Sequence, residues 1–151
     1  MNEKTPSPAV RQLRLIVKTD DFAQALNFYR DELGLAEQAA FTGEGDAKVA
    51  ILHAGAATLE IANSAQVDMI DQVEADGQPS AAIRVAFEVD DSTQKTEQLV
   101  NAGAELKASP RETPWKSINS RMHAPGDLEI TLFSELETLN ERSQRPGFQK
   151  P

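Results

Sequence analysis

The sequence predicts an α+β fold in which two βαβββ modules form a cupped mixed sheet. The first observation is a repeat: residues 13–21, LRLIVKTDD, return as IRVAFEVDD at 83–91, an offset of 70 positions (83 minus 13). The second is that each copy is followed by a helical pattern and then by three short extended runs. Since 151 residues with 40% hydrophobic content can bury one core of ordinary size, both copies must share a single domain.

The first module is predicted over residues 11–63. It opens with a strand at 13–18, in which neighbouring side chains alternate between the two faces. A helix follows, because Asp21 and Gln24 resemble a capping box and apolar residues recur every three or four positions until Gly34. Three extended runs complete the module, at about 36–42, 46–53 and 57–62.

The second module is predicted over residues 81–135 and repeats this order. A strand at 82–89 precedes a helix from Asp91 to Ala102, which Gly103 closes. Its extended runs lie near 104–108, 116–123 and 128–133.

The remaining segments match neither module. Residues 64–80 are predicted to be a linker with a short helix at 67–73, followed by a turn around Gly77 and Pro79. We expect residues 1–10 to form a flexible N-terminus and the polar, proline-punctuated residues 136–151 to form a flexible C-terminal tail. The single domain is thus expected to span residues 11–135.

Composition excludes several classes of function. A formal net charge of −9 and a pI near 4.7 oppose binding to nucleic acid. The absence of cysteine excludes disulfides, thiolate metal sites and cysteine nucleophiles. Because the sequence has no signal-peptide core and no run long enough to span a bilayer, we expect a cytoplasmic protein without a membrane partner.

Several stretches resemble the vicinal oxygen chelate superfamily, which contains the glyoxalase I, bleomycin resistance and ring-cleaving dioxygenase families. The matching stretches are VKTDDFAQALNFYRDELGL at 17–35, ATLEI at 57–61, VAFEVDD at 85–91, LVNAGA at 99–104 and APGDLEITLF at 124–133. The resemblance covers both repeats. It implies two βαβββ modules around a cupped sheet, a small organic ligand in the cup, and a homodimer.

Metal-dependent members of this superfamily place one ligand on the first strand and one on the last strand of each module. The resemblance carries these positions onto Arg14, Glu60, Arg84 and Thr131. Only Glu60 is a residue type that binds metals, because an always-protonated guanidinium has no lone pair to donate. We therefore predict no metal site and no cofactor.

The expected ligand-binding residues line the open face of the sheets. They are Arg14, Arg84, Asn119, Arg121, Thr131 and Phe133, with Trp115 at the rim. The arginines either neutralise neighbouring carboxylates or bind an anionic or carbonyl-bearing ligand through their forked donors.

Carboxylates are expected beside these arginines. Glu60 is the candidate catalytic residue, as a general base or ligand acceptor. Its alternative role is counter-ion to Arg14, which would lower the pKa of Glu60 and weaken it as a base. By strand parity, Glu129 is expected within reach of Arg84.

Three hypotheses for the function follow. The first is a metal-independent small-molecule binding protein. The second is a metal-dependent lyase, isomerase or dioxygenase with displaced ligands such as Glu60, Glu129 and one of His53 or His123. The third is a protein whose cup is closed by its own Arg–Glu pairs and which acts through a dimer surface.

Overall fold

The computed structural model describes Gln12 and residues 14–144. The predicted flexible N-terminus, at 1–10, and residues 145–151 of the predicted tail lie outside the described residues. Within these residues six strands lie between helical segments, in two sheets, one antiparallel and one mixed. The α+β class predicted from the sequence is therefore confirmed.

The helices and strands have the following bounds. The helices are α1 (Phe22–Leu26), which continues as a π-helical segment (Asn27–Glu32), α2 (Ser64–Ala75), α3 (Ser92–Asn101) and α4 (Leu139–Ser143). The strands are β1 (Glu37–Thr42), β2 (Lys48–Leu52), β3 (Val85–Glu88), β4 (Glu105–Glu112), β5 (Ser117–Ala124) and β6 (Leu128–Glu135).

The second module forms a complete βαβββ unit. Its four strands are ordered β3-β6-β5-β4, with β3 parallel to β6 and the other pairs antiparallel. The helix α3 begins after Asp91, whose side chain accepts a hydrogen bond from the backbone N–H of Gln94, as the capping pattern predicts. It packs on one face of this sheet, where Ser92 and Thr96 hydrogen-bond to Ser134 and Ser120.

The hydrophobic core lies between the helices and this face of the sheet. Leu99 of α3 packs there with Met122, Ile130 and Leu132, and all four side chains are fully buried. The first-module helix contributes Phe28, Tyr29 and Leu33. The phenolic oxygen of Tyr29 also donates a hydrogen bond to the carbonyl of Pro125, 2.7 Å away, which ties the first module to the β5–β6 turn.

The first module is less regular than predicted. Among its described residues only β1 and β2 pair, as an antiparallel hairpin, and residues 14–19 and 57–62 lie outside both sheets. The predicted strands at 13–18 and 57–62 are therefore not formed in the described part of the chain. An extended segment becomes a strand only when a neighbouring strand satisfies its backbone groups, and residue alternation alone does not supply that neighbour.

Residues 14–19 cross the β5–β6 turn at close range. Gly126 has a φ of +83°, and a Cβ there would lie 3.1 Å from the carbonyl oxygen of Lys18 and would clash with Val17. Glycine is required by both the backbone conformation and the crowding.

Two further segments differ from the predictions. The predicted linker contains α2, which is longer than the expected helix at 67–73 and begins where the side chain of Asn63 caps the N–H of Gln66. The predicted flexible tail contains α4, started by a capping box between Thr138 and Glu141. None of the helices described here has the length and apolar character needed to cross a bilayer.

We predict that Leu99→Ala lowers the free energy of unfolding by about 2–5 kcal/mol, because it leaves a cavity in a fully buried site. Urea denaturation monitored by circular dichroism measures this. The control is Leu106→Ala, which removes the same atoms from a side chain that is 42% exposed on β4. Equal losses in both variants would contradict this placement of the core.

Candidate functional site

The helix α2 covers the face of the second-module sheet opposite α3. Side chains alternate along β5, so Ser120 and Met122 face α3 and the core, while Asn119 and Arg121 point to the other face. On that face Asn119 and Arg121 hydrogen-bond to Glu74 of α2. The predicted open face of this module is thus covered by the segment that was predicted to be a linker.

Arg121 lies at the centre of the contact between α2 and the sheet. Its side chain is fully buried, its Nε donates to Oε1 of Glu74 at 3.0 Å, and its Nη1 donates to Oδ1 of Asp71 at 2.8 Å. Its Nη2 is also buried, and no hydrogen-bond acceptor for it lies among the described residues. One guanidinium therefore binds two carboxylates one helical turn apart and keeps an unused donor.

Glu74 accepts hydrogen bonds from two strands, β5 and β6. Besides Arg121, it accepts hydrogen bonds from Nδ2 of Asn119, at 3.0 Å from Oε2, and from the hydroxyl of Thr131. Nη1 of Arg84 lies 3.6 Å from Oε1 of Glu74 and donates to Oγ1 of Thr131 at 2.6 Å. These contacts satisfy a carboxylate whose side chain is only 2% exposed. We call Asp71, Glu74, Arg84, Asn119, Arg121 and Thr131 the arginine cluster.

Contacts within the arginine cluster stabilise the ionised forms of Asp71 and Arg121. Burial raises the pKa of Asp71, but hydrogen bonds from Arg121 and Ser80 outweigh it, so the pKa lies below the ordinary value. Burial lowers the pKa of Arg121, and its contacts with Asp71 and Glu74 reverse this and leave the pKa raised. Asp71 and Arg121 are therefore both ionised at neutral pH.

A second buried ion pair lies beside the cluster. Nζ of Lys107 binds Oε1 of Glu129, whose Oε2 accepts from the backbone N–H of Ala81 at 2.6 Å. Burial raises the pKa of Glu129, and the hydrogen bonds from Lys107 and Ala81 more than reverse this, so the pKa is lowered. The expected pairing of Glu129 with Arg84 is replaced by this one, because α2 brings Glu74 to Arg84.

The structure brings together only some of the predicted ligand-binding residues. The cluster contains four of them: Arg84, Asn119, Arg121 and Thr131. Phe133 pairs with Asn119 in the sheet register and is half-buried, and Trp115 is half-buried in the β4–β5 turn.

The first-module candidates lie elsewhere. Arg14 and Glu60 are both exposed, and Nε of Arg14 donates to Oε1 of Gln12 at 3.3 Å. The predicted Arg14–Glu60 pair is not formed in the structure. His53 is exposed, and Nε2 of His123 lies 3.3 Å from Oδ1 of Asp127 at the surface.

Sequence reasoning missed Asp71 and Glu74, which supply both carboxylates of the cluster. The sequence did contain a signal for them. Asp71 and Glu74 are three residues apart and so share one face of a helix, and the apolar residues of that helix include Val67, Ile70 and Val73. Asp71 and Glu74 lie about fifty positions before Arg121 in the sequence, and the periodicity within one segment does not predict contacts with a segment so far away.

The positions carried over as metal ligands do not suit a metal ion. Two of the four carried-over ligand positions are arginines, which offer no lone pair. Among Gln12 and residues 14–144, no three His, Cys, Asp or Glu side chains converge on one point.

Open space near the molecule's surface lies away from the cluster. A cavity of about 340 Å³ lies between residues 15–20 and the β5–β6 turn at Gly126–Leu128. A second, of about 320 Å³, lies between residues 19–23 and the β1–β2 turn. Both border the first-module segment that lacks a strand partner.

The family model for the Glyoxalase/Bleomycin resistance protein/Dioxygenase superfamily matches residues 11–132. This chain belongs to that superfamily. The match spans both modules and α2, and it confirms the resemblance seen in the repeats. Among curated proteins, none matches the chain.

Solved structures of the glyoxalase group share the fold. A glyoxalase family protein from Bacillus cereus superposes with a TM-score of 0.54 and 17% identity, over 85% of this chain and 100% of that one. A hypothetical protein from S. aureus gives a TM-score of 0.51 and 10% identity, over 85% of this chain and 96% of that one. At these identities the likeness concerns the fold alone.

We predict that Arg121→Met lowers the free energy of unfolding by about 3–5 kcal/mol, because Asp71 and Glu74 are left buried without their cation. Chemical denaturation measures the loss. Adding Asp71→Asn and Glu74→Gln to the same variant should recover part of it, since no unpaired buried charge then remains.

The control for Arg121→Met is Arg111→Met. Arg111 pairs with the exposed Asp76 at 2.7 Å, and a surface pair of this kind contributes about 0–1 kcal/mol. A loss below about 1 kcal/mol in Arg121→Met would mean that the buried pairs do not stabilise the fold.

Proposed function

We propose that this superfamily member is a metal-independent binding protein for a small organic anion. The observation that carries the proposal is the buried guanidinium of Arg121, whose Nη2 has no acceptor in the described part of the chain. A buried donor without an acceptor costs about 1–3 kcal/mol, and an anionic ligand oxygen would remove that cost.

The neighbours of Arg121 support an anion site. Arg84 lies in the same cluster with a side chain 25% exposed, so a ligand reaches it from solvent. Asn119 and Thr131 add one amide and one hydroxyl, which fix the orientation of a ligand through neutral hydrogen bonds. Guanidinium groups bind carboxylate and phosphate oxygens in a forked geometry, so these residues favour an oxyanion.

Metal independence follows from the same charges. Arg84 occupies one of the carried-over ligand positions, and its guanidinium has no lone pair to offer a metal ion. The alternative of a metal-dependent lyase, isomerase or dioxygenase needs several carboxylate or histidine ligands about 2.0–2.6 Å from one ion.

We also propose that the protein is located in the cytoplasm, since a chain without cysteine needs no oxidising compartment.

We predict that Arg84→Met weakens binding of small carboxylates at least tenfold, because a hydrogen bond to a charged group contributes about 1.5–3 kcal/mol. Isothermal titration calorimetry with a panel of mono- and dicarboxylates, after exhaustive chelation, measures it. Arg111→Met is the matched control and should bind as the wild type does. Stoichiometric metal in the purified protein, with binding lost on chelation, would overturn the proposal.

We further propose that the protein is a homodimer whose partner copy completes the first module. Residues 14–19 and 57–62 carry exposed isoleucines, with Ile16 89% and Ile61 88% exposed. Such side chains on extended segments without sheet partners favour pairing with another copy of the chain. Arg14 and Glu60 lie on these two segments, so their proposed ligand and catalytic roles depend on this assembly.

We predict that Ile16→Asp and Ile61→Asp convert the dimer to a monomer, because a buried unpaired carboxylate opposes association. Sedimentation equilibrium measures the mass. Leu136→Asp, at an exposed site in the β6–α4 connection, is the control and should remain dimeric. A wild-type protein that is monomeric at every concentration would refute the dimer and leave the anion site standing.

A further inference from the structure

The most deeply buried contacts of the helix α2 with the sheet are made by its charged side chains. Its buried residues are Asp71, Glu74 and Ala75, so two of the three are carboxylates. The buried core described above is built from α1, its π-helical extension, α3 and the strands, and in the described chain α2 contributes no residue to it. Its apolar residues Val67, Ile70 and Val73 are only half-buried, so the ion pairs are needed to fix the position of the helix.

The charges across this contact are balanced and mutually dependent. Arg84 and Arg121 supply two positive charges, and Asp71 and Glu74 supply two negative ones. If α2 left alone, the guanidinium of Arg121 would lose both carboxylates that hydrogen-bond to it, and Glu129, already paired with Lys107, would act on it only through space. Removing one partner of a buried pair is strongly unfavourable, so α2 leaves the sheet in only a small fraction of molecules unless another anion takes over its contacts.

The contacts of α2 also describe the anion that could replace it. The Nε and Nη1 donors of Arg121 each hold a different carboxylate, and the Glu74 carboxylate lies close to Arg84 as well. Two carboxylates held by one fork resemble the two ends of a short dicarboxylate. A monocarboxylate replaces only one of these interactions.

We infer that α2 is an internal occupant of the anion site, and that a short dicarboxylate binds by displacing Asp71 and Glu74 from Arg121 and Arg84. This inference rests on the proposed function and adds the ligand class and the competition to it. The ligand then binds only the fraction of molecules in which α2 has left, so the apparent dissociation constant is the intrinsic one divided by that fraction. Weakening the attachment of α2 therefore strengthens ligand binding.

The chain around α2 permits the exchange. Residues 57–63 before it lie outside both sheets, so no strand need open when α2 leaves. After it, the amide of Gln78 donates to the carbonyl of Lys107, and Lys107 donates to the carbonyl of Pro79. These bonds keep residues 78–79 on the sheet while the helix itself is exchanged for the ligand.

The test compares affinities for malonate, succinate and glutarate in wild type, Glu74→Gln and Asp71→Asn by isothermal titration calorimetry. Asp68→Asn is the matched control, because Asp68 is exposed on the same helix. Acetate and succinamide serve as the single-charge and uncharged probes. We expect Glu74→Gln to bind the best dicarboxylate at least tenfold more tightly than wild type, with Asp68→Asn unchanged and succinamide unbound by every variant.

Amide hydrogen exchange of α2 distinguishes displacement from a simple gain of positive charge. Saturating dicarboxylate should accelerate exchange in residues 67–75 of the wild type and leave α3 protected. If Glu74→Gln does not fold, the affinity of Asp71→Asn and the hydrogen exchange of the wild type decide whether the ligand displaces α2.

The outcomes separate the two proposals. Binding that is equal or weaker in the Glu74 and Asp71 variants, with α2 still protected, overturns the competition and leaves the anion site intact. Tight binding of acetate with no gain for dicarboxylates overturns the ligand class. Failure of every carboxylate to bind any variant overturns the proposed function together with this inference.

Discussion

Burial of the Arg121 guanidinium constrains the second module more than any other interaction. The side chain is fully buried and carries a permanent charge, so the fold must bring acceptors to it. In its own sheet Asn119 and Thr131 donate to Glu74 and do not accept from Arg121, and the neighbouring Glu129 is held by Lys107. The two carboxylates come from α2, and the position of that helix follows from this requirement.

The same constraint gives the sheet two faces of different physical character. Against α3 the sheet is held by apolar burial, which is non-directional and tolerates small changes in packing. Against α2 it is held by directional hydrogen bonds between charges, which fail together when one partner is lost. The core between α3 and the sheet can therefore stay packed while the contacts on the α2 face are exchanged.

The sequence predicted the elements whose causes are local. The cap at Asp91, the helix to Asn101 and the alternation that places Asn119 and Arg121 on one face were all readable, because each depends on residues a few positions apart. The strand expected at 13–18 depended on a neighbour that the pattern does not contain. The acids of α2 were overlooked because their partners lie on β5, far along the chain.

The two repeats also show why equal sequence patterns need not give equal structures. Arg84 lies next to a complete four-stranded sheet and finds Glu74 and Thr131, whereas Arg14, at the equivalent position, is exposed. A guanidinium is stable in a buried position only where carboxylates and hydroxyls surround it, whereas a solvent-exposed guanidinium needs no such partners. The duplication therefore preserved the cation in both modules, and the supply of carboxylates by α2 decided which copy belongs to the arginine cluster. Any partner that completes the first module must bring acceptors for Arg14 or leave it in solvent.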